Sequence, residues 1–321
     1  MTARPIRLGT RRSALARTQS GLIADRLREL TGREVELVNV TTEGDTNRAP
    51  LTSMGGAGVF VSAVRGALTD GTVDVVVHSL KDLPTTPEPG IRLAAVPRRA
   101  DPRDALVSAG GKKLVELPAG AVIGTGSPRR HAQLKALGLG FDVVDIRGNV
   151  ETRMGYVTSG RLDAVVLAMA GLERLGKQAD ITEKIDPINM LPAPGQGALA
   201  VETRDESGGA VDDELVRALA EIDDADTRSA TTAERAVLAE TGAGCSAPLG
   251  ALAEIVEDED GPALSLRAAL CPEESIDDGD VVRLSVQGGV ADADRLGREL
   301  AIELLDRLSI GEKTNDQERE A

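Results

Sequence analysis

Tryptophan is absent from the 321-residue chain, which also holds only one tyrosine and two phenylalanines. A core of stacked aromatic rings is excluded, so Val, Leu, Ile and Ala must fill it. The 41% hydrophobic content is ordinary for a globular protein. Cysteine occurs twice, at 245 and 271, too sparsely for a disulfide framework and in keeping with a reducing cytosol. The two histidines stand apart from the cysteines and from each other, so no metal-ligand spacing is present. Lysine is scarce as well: seven of the 37 basic residues, against 52 carboxylates, for a net charge of −15. That balance argues against general nucleic-acid binding, which needs a basic footprint. An acidic surface poor in lysine and aromatics is expected of a protein kept soluble in concentrated salt, and a halophilic source is the expectation. No apolar run approaches membrane-spanning length, and the N-terminal stretch Met-Thr-Ala-Arg-Pro-Ile-Arg lacks the apolar segment of a signal peptide. These absences point to a soluble, cytoplasmic protein without a membrane partner.

What is present centres on Val73 to Pro84. Val75, Val76 and Val77 form a short apolar run that suits a strand buried on both faces. The run ends in His78, Ser79, Lys81 and Asp82, and Pro84 stops the strand from simply continuing. In parallel α/β folds ligand chemistry sits just beyond the carboxyl ends of strands, so a carboxylate there is a candidate for moving protons. Lys81 and Asp82 taken alone read sooner as solvated turn charges, and the rest of the chain is what shifts the balance.

Alternation of strands and helices runs through the first two thirds. Ile6–Gly9 reads as a strand, and a helix follows Ser13 with Leu15, Leu22, Ile23, Leu27 and Leu30 on one face and Gly32 at its end. Strands are expected over 34–41, 91–96, 121–124, 142–146 and 163–167, with helices from Pro128 and after Asn149. Such alternation argues for mostly parallel sheets. Arginines recur beyond strand ends: Arg11 beside the first helix, Arg129 and Arg130 after the expected cap sequence Ser127-Pro128, then Arg147 and Arg153. One arginine in a turn is usually surface; this recurrence suggests a ligand rich in negative groups, which the guanidinium fork suits. The last third changes texture, with strands near 249–256, 264–270 and 281–286 and a closing helix near 292–308. Cys245 stands in the glycine-rich loop Gly242 to Pro248, where a thiol can be a nucleophile, an attachment point or simply buried. Cys271 suits the buried role, and His78 and His131 read as structural or hydrogen-bonding residues.

These blocks resemble the porphobilinogen deaminase (hydroxymethylbilane synthase) family. The matches are Gly-Thr-Arg-Arg-Ser-Ala-Leu-Ala at 9–16, Val-His-Ser-Leu-Lys-Asp-Leu-Pro at 77–84 and Asp-Pro-Arg-Asp-Ala at 101–105. Further matches are Arg-Gly-Asn-Val at 147–150, Leu-Ala-Met-Ala-Gly-Leu-Glu-Arg-Leu-Gly at 167–176, Pro-Gly-Gln-Gly-Ala at 194–198, Thr-Ala-Glu-Arg at 232–235 and Gly-Cys at 244–245, all in family order. The resemblance implies an enzyme that joins four porphobilinogen units head to tail into hydroxymethylbilane, releasing ammonia at each step. It implies a dipyrromethane cofactor bound by a thioether to Cys245, and Asp82 as catalytic acid/base with Lys81 beside it. Arg11, Ser13, Ser79, Ser127, Arg129, Arg130, Arg147, Arg153 and Arg174 would bind the acetate and propionate groups of cofactor and substrate. A monomer is implied, whose product passes to the next tetrapyrrole enzyme.

The implied fold is α/β, with two lobes like those of type II periplasmic binding proteins and a smaller α+β C-terminal domain. Domain 1 would comprise 1–97 and 197–222, domain 2 residues 101–193 and domain 3 residues 226–310, with 311–321 a disordered tail. Bacterial members carry lysines where this chain has Ser53 and Ala57, in and beside the glycine-rich loop 54–60, and commonly a basic residue where it has Glu43. The competing reading is a non-catalytic two-lobed module that captures an anionic small molecule. It would need neither Asp82 beside Lys81 nor a cysteine in a third domain.

Overall fold

The computed structural model describes residues 4–40, 58–209, 211–242, 247–259 and 261–319. The chain opens with β1 (Ile6–Thr10), α1 (Ala14–Thr31), β2 (Val35–Asn39), α2 (Gly58–Thr69), β3 (Val75–Ser79) and β4 (Ile91–Ala95). Next come β5 (Asp104–Ser108), β6 (Val122–Gly124), α3 (Pro128–Ala136), β7 (Asp142–Val144), α4 (Val150–Thr158), β8 (Ala164–Ala168), α5 (Met169–Arg174) and β9 (Glu183–Lys184). The remainder is β10 (Leu199–Arg204), α6 (Asp213–Ile222), α7 (Ala225–Glu240), β11 (Leu249–Asp258), β12 (Gly261–Leu270), β13 (Val282–Gly289) and α8 (Ala293–Arg319). Two compact units result, residues 1–100 with 197–228 and residues 101–196 with 229–321.

In the first unit the sheet order is β2-β1-β3-β10-β4. Val75 and Val77 pack toward one layer with Ile23 and Leu27 of α1 and Leu215 and Leu219 of α6. Val76 packs toward the other with Val64 and Leu68 of α2. Burial on both faces explains the uninterrupted valine run. Ser13 caps α1 by accepting the N–H of Ala16, and Gly32 ends it in the left-handed conformation, its N–H returning to Arg28 O. The buried stripe of α1 is Gln19, Ser20, Ile23, Ala24 and Leu27, whereas the expected core residue Leu22 is 52% exposed. At 3.6 residues per turn, Leu22 lies about 100° round the helix from Ile23 and faces solvent.

The second unit holds two sheets. One, of order β7-β6-β8-β5-β9, is built around Leu106, Ile123, Leu134, Val166 and Met190. The other is the antiparallel β11-β12-β13, with Ala233 and Val237 of α7 and Leu296, Leu300 and Leu304 of α8 packed on it. This is the smaller α+β part.

Both five-stranded sheets are mostly parallel, as expected, and each is made mixed by a single reversed strand: β10 runs antiparallel to β3 and β4, and β5 antiparallel to β8 and β9. Each of these strands enters straight from a crossover instead of through a helix, which antiparallel pairing allows. Helix α8 runs on to Arg319.

Candidate active site

In the first unit, β1 and β3 run parallel, with Leu8 opposite Val75 and Gly9 opposite Val76. Arg11 and Ser13 therefore leave the sheet at the same edge as Ser79, Lys81 and Asp82. Asp82 ends a single 3₁₀ turn, Leu80–Asp82, and is exposed, while Leu80 and Leu83 on either side are buried. The two leucines thus anchor a turn that presents the carboxylate to solvent. Gln19 of α1, itself buried, donates from Nε2 to Ser79 Oγ at 3.0 Å and fixes the residue ahead of the turn.

Behind this edge lies a buried ionic network. Arg65 of α2 clasps Glu202 of β10 through two bonds, Nε to Oε2 at 3.0 Å and Nη2 to Oε1 at 2.7 Å. His78 Nε2 lies 3.3 Å from the same carboxylate. Burial alone would raise the Glu202 pKa, but hydrogen bonds and charge from His78 and Arg65 outweigh it and hold the carboxyl down at about 2. His78 thus lies against the Glu202 carboxylate at ion-pair distance, while Arg65 makes the hydrogen bonds to it. His131 pairs with Asp277 at 2.9 Å.

In the second unit the arginines gather at the carboxyl ends of β6 and β7. Gly126 makes this approach possible, since a Cβ there would lie 2.6 Å from Ile146 O. Ser127 caps α3 by accepting the N–H of Arg130, with Pro128 at the first helical position. Asn149 caps α4 through Thr152 N at 2.8 Å, after Gly148 turns the chain with φ 119°. Arg147 pairs with Asp145 at 3.1 Å in an exposed setting, and Arg153 Nε donates to Gly148 O at 2.8 Å. Burial, together with repulsion from Arg130 and Arg147, pushes the Arg153 pKa down. Burial does the same to Arg174, opposed by Glu173.

Arg129 and Arg130 are buried, and both engage Asp104, the wholly buried first residue of β5. Two guanidiniums therefore meet one carboxylate. Charge and hydrogen bonds from both arginines overcome burial and hold the Asp104 carboxyl far below the usual carboxylate range. Asp104, Gln19, Arg65 and Glu202 were not singled out from sequence. A polar residue on the buried stripe of α1 and a lone carboxylate opening the apolar run Ala105-Leu106-Val107 were the available signals. Glu234 of the Thr-Ala-Glu-Arg block is likewise buried and accepts the N–H groups of Gly195 at 2.6 Å and Ala253 at 2.9 Å. Cys245, Glu43, Ser53, Ala57 and the first part of the glycine-rich loop lie outside the described residues. Cys271 is buried, and desolvation aided by Asp280, Glu274 and Asp278 pushes its thiol up to about 11.

Two sequence profiles match the chain: "Porphobilinogen deaminase, dipyromethane cofactor binding domain" over residues 6–211 and "Porphobilinogen deaminase, C-terminal domain" over residues 229–306. The chain belongs to the porphobilinogen deaminase family. A porphobilinogen deaminase of Nocardia farcinica is 54% identical over 310 residues, spanning 95% of this chain and 87% of that one. One of Mycobacterium tuberculosis is 53% identical over 306 residues, spanning 94% and 96%. Among solved structures, a periplasmic substrate-binding protein of an ABC transporter from Coxiella burnetii is similar with a TM-score of 0.42, at 14% identity over 68% of this chain and 91% of that one. Immunogenic lipoprotein A from Vibrio vulnificus is similar with a TM-score of 0.40, at 13% identity over 67% and 94%. As in other porphobilinogen deaminases, the first profile is that of the domain binding the dipyrromethane cofactor. The donor set in the second unit fits such a polycarboxylate. At the start of α3 two arginines meet one carboxylate, and the buried Nε of Arg129 has no hydrogen-bond partner among the described residues.

Proposed function

We propose that this porphobilinogen deaminase joins four porphobilinogen units head to tail into hydroxymethylbilane, releasing ammonia at each step, on a dipyrromethane held by a thioether to Cys245. The observation that carries the reading is the buried cation surplus at the start of α3, where Arg129 and Arg130 share Asp104. Every pyrrole ring brings an acetate and a propionate, and guanidinium donors suit both. When bound, dipyrromethane supplies the nucleophilic pyrrole carbon on which the product chain grows.

In this proposal Arg11, Ser13, Ser127, Arg129, Arg130, Arg147, Arg153 and Arg174 bind the ring carboxylates, and Ser79 and Lys81 flank the acid. Asp82 holds the substrate pyrrole N–H as ammonia leaves the aminomethyl carbon. Its negative charge stabilises the resulting azafulvene cation, and it accepts the proton lost from the ring carbon that has formed the new bond. The acidic surface, in the same reading, keeps a cytoplasmic monomer soluble at high salt, and the product passes to the next tetrapyrrole enzyme. Sedimentation in dilute and in molar potassium chloride tests that part.

Intact mass of the purified chain tests the core of the proposal. A mass excess equal to two linked pyrrole units is expected in the wild type and not in Cys245→Ser. A wild type still unmodified after incubation with porphobilinogen and with preformed hydroxymethylbilane would overturn it.

A further inference from the structure

Arg129 and Arg130 are successive residues of α3, and on a helix successive side chains diverge by about 100°. Both nevertheless converge on Asp104. Arg129 Nη1 donates to Asp104 Oδ2 at 2.8 Å, while Arg130 Nε and Nη2 donate to Oδ1 at 3.1 and 2.8 Å. A fourth donor, Gln196 Nε2, reaches Oδ1 at 2.8 Å. Backbone carbonyls complete the clamp, since Arg129 Nη1 also reaches Leu191 O at 2.5 Å and Arg130 Nη1 reaches Val166 O at 3.0 Å. Asp104 is 0% exposed and Arg129 3%. Buried side by side, the two cations would repel each other without a carboxylate between them.

We infer that Asp104 is a positioning residue of the anion seat: its carboxylate sets the planes of Arg129 and Arg130 and so decides which guanidinium donors remain for a ligand carboxylate. Asp104 and the carbonyl of Leu191 occupy both hydrogens of Arg129 Nη1, and Asp104 holds one edge of Arg130. The Nε of Arg129, and the hydrogens of Arg130 Nη1 and Nη2 not given to Val166 O and Asp104, are left to the ligand. One negative charge against two positive ones keeps the seat cationic after the clamp has formed. The inference rests on the reading that this unit seats the acetate and propionate groups of pyrroles.

Asp104→Asn keeps the shape but removes the charge. In the full-length variant, the fraction carrying the dipyrromethane mass is expected to fall at least about tenfold. In the loaded remainder, KM for porphobilinogen is expected to rise about tenfold with kcat within about threefold. A residue that only supports the fold would lower the melting temperature and leave loading and KM unchanged in the folded fraction. That result would overturn the inference. Gln196→Leu spares both ion pairs and removes one donor from Oδ1, and a rise in KM of about threefold is expected of it. Should Asp104→Asn not fold, an unchanged KM in Gln196→Leu would count against the inference. A second readout uses citrate as probe on the Cys245→Ser background. Citrate should raise the melting temperature there and lose most of that effect when Asp104→Asn or Gln196→Leu is added. Citrate stabilisation that is independent of both variants would sink the positioning role. A wild type without pyrrole mass, but with citrate binding that depends on Asp104, would sink only the functional reading.

Discussion

The two five-stranded sheets share a plan and differ in charge. Each has three parallel strands, an antiparallel strand in the fourth position, and an edge strand beyond it. On the fourth strand each buries one carboxylate that reaches a neighbouring helix: Glu202 on β10 toward Arg65 of α2, and Asp104 on β5 toward Arg129 and Arg130 of α3. In the first unit Arg65 matches the buried Glu202, with His78 alongside and the exposed Glu88 at 3.4 Å. In the second, two guanidiniums share one carboxylate and leave a surplus of positive charge. The same architecture therefore serves two purposes. A closed network supports the strand that leads to Asp82, whereas in the proposed reading the open one leaves cationic donors for the anionic groups of a ligand.

The largest expected effect lies at the first network's strand. Asp82→Asn should lower kcat by about 10²–10⁴-fold while the dipyrromethane mass remains attached. Loss of the attached mass instead would assign Asp82 to binding rather than proton transfer. The comparison itself is sharpened by two matched truncations. Arg65→Met strands Glu202 without its guanidinium and should cost about 3–5 kcal/mol in urea unfolding. Arg129→Met leaves Asp104 matched by Arg130 and should cost only about 1–2 kcal/mol. The reverse order would break the comparison.

Acid titration gives a smaller, graded effect. The Glu202 carboxyl is lowered from an ordinary value of 4.5 to about 2 in the folded chain, so below pH 4.5 the unfolded chain binds the extra proton first. Its contribution is therefore complete above pH 4.5 and lost as pH falls toward 2. Melting temperature measured through that window should fall less steeply in Glu202→Gln than in the wild type, and identical slopes would remove Glu202 from the account. The smallest effect is at Cys271, whose thiol, pushed up to about 11, stays protonated at neutral pH. Iodoacetamide should leave Cys271 unlabelled in the native protein and label it in urea, with peptide mass as the readout.

Strands buried on both faces and capped helices were plain in the residues. Val75-Val76-Val77, Ser13 with Gly32, and Ser127-Pro128 each state their local structure through apolar continuity or a cap. Strand β5 was not legible, because Asp104 and Ser108 bracket only three apolar residues and no alternation marks the segment. Its partners on β8 run from Ala164 to Ala168, far along the chain, a pairing that no local pattern encodes. For the same reason Asp104 and Glu202 could not be tied to their arginines. A buried carboxylate reads like any surface one until the strand that carries it is placed. Leu22 erred the other way: a leucine at roughly helical spacing still fell outside the buried stripe.

The interleaving of the first unit bears on the order in which a growing chain can fold. Strand β10 lies between β3 and β4, yet it begins at Leu199, after the whole β5–β9 sheet has been made. During synthesis, therefore, β3 and β4 emerge with nothing to join them, while the later sheet, contiguous from Asp104 to Lys184, can close first. The lobe that is first out of the ribosome is the last to be completed, and its unpaired strand edges stay open to wrong partners for about a hundred residues of elongation.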